Sequence, residues 1–139
     1  MDRTRGFTLL EMIVVVAIAA ILAAMAISTY GRYVFRAHRA DAHQSLMAIA
    51  NGEERWYATY HRYSDDLAQF GFADPAMSPH GYYELVLEVD GDAAQSFTAT
   101  ALPVNTQASD ACGNLSIDSQ GRKMPSQDDV QANANGKCW

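Results

Sequence analysis

The feature that most constrains this chain is an apolar run from Leu9 to Ile27 that contains one carboxylate, Glu11. As a helix, the residues from Phe7 to Ile27 would extend about 31 Å at 1.5 Å per residue, which is enough to cross the hydrocarbon core of a bilayer. A charged side chain at that depth costs roughly 2.5–3.5 kcal/mol on insertion scales. Glu11 is therefore a candidate functional group that needs a partner.

A cleaved signal peptide is the main alternative for this N-terminus. Arg3 and Arg5 precede the run, and Ala24-Met25-Ala26 fits the small-residue site that signal peptidase cuts. Two features favour a retained helix. Glu11 interrupts what should be an uncharged segment, and no proline occurs before Pro75, so helical character continues past the cleavage site. A secreted domain released by signal peptidase remains the alternative at this point.

The pattern becomes amphipathic from about Ser28 to Tyr60. Apolar residues recur there at spacings of three and four, and only Glu53 breaks the stripe. The run and this segment together predict one helix of about fifty residues, half in the membrane and half packed on a domain. Residues 61–80 contain Asp65-Asp66, Asp74-Pro75 and Ser78-Pro79 and predict a long connecting loop.

Alternating apolar and polar residues predict antiparallel strands in the second half of the chain. The first strand covers 83–89 and is followed by a turn at Asp90-Gly91-Asp92; the second runs from Phe97 and is closed by Pro103. A short third strand lies around residues 115–117, with a turn at Gln120-Gly121. A long helix followed by hairpins predicts an α+β domain on a small antiparallel sheet.

Composition limits the chemistry of the chain. Its 139 residues carry a net charge of −6, so bulk electrostatics give no reason to expect nucleic-acid binding. The chain has two cysteines, Cys112 and Cys138, and an N-terminus of the export type. This combination favours a disulfide, which would contribute roughly 3–4 kcal/mol to the free energy of unfolding. Two reduced cysteines, or metal ligation, are the alternatives, although the four histidines show no ligand spacing. No catalytic arrangement stands out, so we expect a protein that is not an enzyme and holds no cofactor or metal.

The chain resembles a type IV pilin precursor. The resemblance rests on a short leader ending in Gly6, the motif Phe7-Thr8-Leu9-Leu10-Glu11, the apolar helix, the small sheet and the late cysteine pair. Within that family it is most similar to the PilE-like minor pilins, through the segments 36–40, 53–57, 97–101, 111–115 and Cys138-Trp139.

The resemblance implies how the precursor is processed and divided. A prepilin peptidase would cut between Gly6 and Phe7 and N-methylate Phe7. Residues 1–6 would be the leader, 7–27 the transmembrane and assembly helix, and 28–139 the periplasmic globular domain with the amphipathic half of the helix. The chain would cross the inner membrane once before assembly and become part of an extracellular pilus afterwards. In that filament, Glu11 of one subunit would meet the Phe7 amine of a neighbour.

The implied function is a minor structural subunit of a type IV pilus, serving pilus biogenesis, twitching motility, adhesion or DNA uptake. The implied partners are the major pilin, other minor pilins, prepilin peptidase and the inner-membrane assembly platform. Arg32, Arg36 and Arg39 form a basic stripe that we interpret first as a solvated face paired with acidic neighbours. Salt bridges between subunits in the filament are the second interpretation, and contact with DNA is the last. A pseudopilin of a type II secretion system is the alternative, but pseudopilins more often lack the late cysteine pair.

Two residues depart from the family pattern. Ser28 stands where many members have a helix-kinking proline, and Ala20 stands where a helix-interior glycine is common. Both changes favour a more continuous helix.

Overall fold

The computed structural model describes residues 7–139, and describes residues 27–29 by their backbone alone. Helix α1 runs without interruption from Leu9 to Tyr60, a span of 52 residues that includes Ala20 and Ser28. The next residue, His61, has a left-handed φ of 57° and so stops the helix. The side-chain amide of Gln95 donates to the His61 carbonyl at 3.0 Å and so satisfies one of the carbonyl groups left at the helix end. The single long helix that the sequence predicted is confirmed.

The chain forms two compact units, and the division falls inside α1. The first ends at Val34, and in its described part it consists of the N-terminal segment and the apolar part of the helix. The second extends from Phe35 to Trp139 and contains the amphipathic part of the helix and all the strands.

Four antiparallel strands form one sheet in the second unit, in the order β1-β2-β3-β4. Their bounds are β1 Tyr83–Val89, β2 Phe97–Pro103, β3 Leu115–Asp118 and β4 Lys123–Met124. The first three were predicted, although β2 includes Pro103 as its last residue. Strand β4 was missed because a two-residue strand has no periodicity to detect; the pairing of Lys123 with Ile117 defines it.

Short 3-10 helices occupy segments that the sequence leaves irregular. One covers Leu67–Phe70 within the predicted loop, with the Asp66 carboxylate accepting from the Ala68 amide as its N-cap. The others are Asn105–Ser109 and Ala132–Asn135.

The hydrophobic core lies between α1 and one face of the sheet. The alternating residues of the strands that point to the helix are buried, as the period of two requires. They form one cluster with the apolar stripe of α1, whose most buried members are Ala42, Leu46 and Ile49. The predicted α+β architecture is therefore confirmed.

Candidate assembly segment and C-terminal clamp

The N-terminal end of α1 is fixed by Thr8. Its hydroxyl accepts the amide of Glu11 at 3.3 Å, and its carbonyl accepts the amide of Met12 at 3.2 Å. Thr8 is thus the N-cap, and Glu11 stands at the third helical position, where the helix dipole favours a negative charge. Sequence reasoning missed this role, although the spacing Thr-x-x-Glu is the pattern of a capping box.

Glu11 forms no ion pair with another described residue of its own chain. It lies in a segment whose described side chains, residues 7–26, are all exposed, and the exposed fraction of Phe7 is 79%. Gly6 lies outside the described residues, so the predicted cleavage junction is seen from the Phe7 side only.

Residues 9–26 of α1 are not covered by any other described part of the chain. Helix α1 contains a stretch long and apolar enough to cross a membrane by length and composition. Soluble monomers rarely expose continuous apolar patches larger than a few hundred Å². This surface therefore requires lipid or another protein.

Arg39 differs sharply from the solvated face that we expected for the basic stripe. Only 1% of its surface is exposed. Its Nε donates to Asp110 Oδ2 at 2.7 Å and its Nη2 to Asp110 Oδ1 at 2.6 Å, a bidentate pair. Its Nη1 donates to the carbonyls of Gly136 and Lys137 at 3.1 and 3.0 Å. The expected acidic partner exists, but in the interior.

A disulfide joins Cys112 to Cys138, as the cysteine count favoured, and both residues are buried. Arg39 binds one residue shortly before each of these cysteines. It pairs with Asp110, two residues before Cys112, and donates to the carbonyl of Lys137, which directly precedes Cys138. We call Arg39 and its partners the C-terminal clamp. The disulfide joins two chain segments directly, and Arg39 joins the same two segments through its ion pair with Asp110 and its hydrogen bonds to the two carbonyls.

A second set of contacts holds the C-terminal residues against α1. The ring of His43 stacks on Trp139 with centroids 4.5 Å apart, and its Nε2 lies 2.7 Å from the Cys138 carbonyl. Burial lowers the pKa of His43, and the nearby cations Lys123 and Arg39 act in the same direction. A neutral His43 can donate from Nε2 to that carbonyl, which requires the Nε2–H tautomer.

The pKa values of two buried carboxylates of α1 shift in opposite directions. Burial raises the pKa of Glu53, with Glu54 and Asp65 adding to the rise, and only the Ser64 amide stabilises its charge, at 3.0 Å from Oε2. Its Oε1 is buried and makes no hydrogen bond among the described residues. Burial also opposes the charge of Asp41, but hydrogen bonds from Ser78 and His80 outweigh it and lower its pKa.

Known protein families match both the N-terminal segment and the globular region of this chain. Residues 28–116 match the family model described as type IV minor pilin ComP, DNA uptake sequence receptor, and residues 1–27 match the prokaryotic N-terminal methylation motif. The type IV major pilin protein PilA of Myxococcus xanthus (strain DK1622) is 38% identical over 80 residues, which cover 58% of this chain and 36% of that protein.

A second curated relative and a solved structure are also type IV pilins. The type IV major pilin protein PilE1 of Neisseria gonorrhoeae is 32% identical over 89 residues, 61% of this chain and 52% of that protein. The chain thus spans between about a third and a half of these two curated relatives. A type IV pilin structure from Shewanella oneidensis has a TM-score of 0.56 and 30% identity, and the match covers 76% of this chain and 97% of that one. The chain belongs to the type IV pilin family.

Proposed function

We propose that this chain is a subunit of a type IV pilus, of the minor class, and that prepilin peptidase cuts it between Gly6 and Phe7 and methylates Phe7. The observation that carries the proposal is the uncovered apolar helix with one carboxylate at its capped end. Lipid can cover that surface before assembly, and the matching helices of other pilins can cover it in a filament. The family model that matches residues 28–116 is described as a minor pilin, which supports the minor class.

In this proposal Glu11 sets the register between subunits. Cleavage would create a cationic amine on Phe7, and a buried ion pair is favourable only when its geometry is good. A neighbour in the wrong register would leave the Glu11 carboxylate unpaired in a low-dielectric environment, at a cost of about 3–5 kcal/mol. The pair therefore discriminates between registers more than it adds stability.

We expect Glu11→Ala to leave the precursor membrane-inserted and cleaved while its incorporation into pili falls at least about 100-fold, the equivalent of about 3 kcal/mol. The measurement is quantitative mass spectrometry of sheared pili, with N-terminal sequencing to verify methyl-Phe7. Thr8→Ala is the matched control, because it removes the helix cap at 3.3 Å and keeps the charge. Normal incorporation of Glu11→Ala, or an equal defect in Thr8→Ala, would contradict the register role.

A pseudopilin of a type II secretion system stays the alternative within the same fold. The Cys112–Cys138 disulfide near the C-terminus supports the pilus. Incorporation of the mature chain into sheared pili, measured in the experiment above, also separates the two functions.

DNA binding is a second candidate function, favoured by the grouping of cations in the C-terminal region. Every Lys or Arg after residue 62 lies at position 122, 123 or 137. Lys123 and Lys137 are exposed, and the Lys123 ammonium lies 4.9 Å from the centroid of the Trp139 ring. An exposed cation suits contact with a phosphate group, and the matching family model is described as a DNA uptake sequence receptor.

If this function is correct, duplex DNA should bind the chain weakly and lose affinity as salt rises. Lys123→Ala should reduce the slope of log K against log salt by about 1, because each phosphate contact releases about one counterion. Fluorescence anisotropy with a labelled duplex measures the slope. Arg55→Ala, which removes an exposed cation from α1, is the control and should leave it unchanged. An unchanged slope in Lys123→Ala would exclude this surface.

A further inference from the structure

Strand β1 is an edge of the sheet, and only the first half of its outer side is paired. The amide of Ser78 donates to the carbonyl of Tyr83 at 2.8 Å. The amide of Leu85 donates to the carbonyl of Ala76 at 2.8 Å. Tyr83 and Leu85 therefore point their backbone groups away from β2, towards the segment 76–78.

The second half of that edge is open. Backbone direction alternates along an antiparallel pair, and the amide of Asp90 donates inwards to the Ser96 carbonyl at 2.9 Å. Leu87 and Val89 must then direct their N–H and C=O groups outwards. Within the described part of the chain, no donor or acceptor reaches these groups.

An acidic groove of about 360 Å³ lies beside the strand and reaches Leu87. Its opposite wall comes from residues 65–68 and 72–76. Four carboxylates line the groove, those of Asp65, Asp66, Asp74 and Glu84. None of its described lining residues is a Lys, Arg or His. Phe72 and Leu67 add apolar surface. The groove thus combines the unpaired groups of Leu87 with negative charge and an apolar wall. Val89 lies just beyond it, beside a second pocket lined by Asp65, Asp92 and Arg62.

Unpaired strand groups are best complemented by another extended backbone, which adds as a strand. A single-sign acidic lining selects cationic side chains on that backbone and repels acidic ones. We propose that the outer edge of β1 at Leu87–Val89 is a docking site for an extended segment of a partner protein that is rich in Lys or Arg. This site lies entirely in the second unit and does not depend on the assembly role of Glu11.

The first test uses the full chain in a non-ionic detergent and an acetylated octapeptide of alternating lysine and valine. We expect saturable binding in fluorescence anisotropy, at least about tenfold tighter than for an octapeptide of alternating glutamate and valine. N-methylation of the valine amides removes donors from the peptide backbone and should weaken binding to a similar degree. Equal binding of the glutamate peptide or of the N-methylated peptide would overturn the proposal.

Two substitutions separate backbone pairing from charge. Val89→Pro removes one outward N–H donor from β1, and proline is tolerated there because β1 is an edge strand. It should weaken binding of the lysine peptide about tenfold. Glu84→Gln removes a groove charge and should reduce the salt dependence of binding. Glu88→Gln, outside the acidic groove, is its matched control and should leave the salt dependence unchanged. Unchanged affinity in Val89→Pro, or equal effects of Glu84→Gln and Glu88→Gln, would count against this edge as the site.

Amide hydrogen exchange tests the same edge on the chain without any substitution. The amides of Leu87 and Val89 should exchange quickly in the free chain and slowly with the lysine peptide bound. The amides of Val86 and Glu88, which face β2, should be protected in both states. Slow exchange at Leu87 and Val89 in the free chain, or no added protection with peptide, would show that the edge is closed.

Discussion

Replacing Asp110 with alanine is expected to lower the free energy of unfolding of the globular region by about 3–5 kcal/mol. The variant would leave the guanidinium of Arg39 in the interior, where 1% of its surface is exposed, without the carboxylate that accepts two of its hydrogen bonds. The two carbonyls that remain as acceptors cannot neutralise a full positive charge. Urea unfolding of a fragment that starts at residue 28, followed by tryptophan fluorescence, measures the loss.

An exposed ion pair in the same domain provides the control. Arg122 donates to Asp118 at 2.6 Å, close to the distances of the clamp, but 71% of the Arg122 side chain is exposed. Arg122→Ala, which leaves the Asp118 carboxylate to accept the amides of residues 120 and 122, should therefore cost only about 0–1 kcal/mol. A double variant that replaces Arg39 and Asp110 by methionine and leucine should recover much of the loss, because it leaves no unpaired charge. Equal losses in Asp110→Ala and Arg122→Ala would contradict the buried clamp.

The elements of the fold were predictable from the sequence where burial follows a simple period. Apolar residues at spacings of three and four define the packed face of α1, and alternation defines β1 and β2. The absence of proline before Pro75 explains why the helix continues to Tyr60. Strand β4 was not predictable, since its two residues become a strand only by pairing with β3.

The buried charges were not predictable, because periodicity assigns charged residues to the surface. Arg39 appeared to be part of an exposed basic stripe, yet its partner Asp110 lies 71 residues away in the sequence. Glu53 appeared as a break in an apolar stripe, and the structure buries it completely. Only tertiary packing brings such partners together. The Thr8 cap, by contrast, is a local pattern that the sequence does contain.

The cysteine pair could be predicted from the sequence, whereas the C-terminal clamp could not. An even cysteine count in an exported chain is enough to favour the Cys112–Cys138 disulfide. Nothing in that count indicates that Arg39 binds residues beside both cysteines. The clamp and the disulfide restrain one segment in parallel, so their contributions to stability must be measured together.

Replacing Cys112 and Cys138 by alanine should lower the free energy of unfolding by about 3–4 kcal/mol, because the unfolded chain regains the entropy of an open loop with a separation of 26 residues. The loss in a variant that also carries Asp110→Ala should be smaller than the sum of the separate losses by about 1 kcal/mol or more. Without the disulfide, the segment that supplies the Gly136 and Lys137 carbonyls can move away from α1, and water can then reach Arg39. The unpaired charge would no longer be confined to a dry interior.

The same urea unfolding experiment on the four proteins of this double-mutant cycle measures the coupling. With Trp56 replaced by phenylalanine in all four proteins, Trp139 provides a local signal, because its ring stacks on His43 only while the C-terminal residues are docked. In the cysteine-free variant, its fluorescence should begin to change at a lower urea concentration than the global transition. The Arg122→Ala substitution, combined with the cysteine replacements, should be additive, since the ion pair of Arg122 with Asp118 lies outside the clamp. Additive losses for Asp110→Ala would show instead that the clamp and the disulfide restrain the chain independently, and that Arg39 keeps its burial without the covalent link.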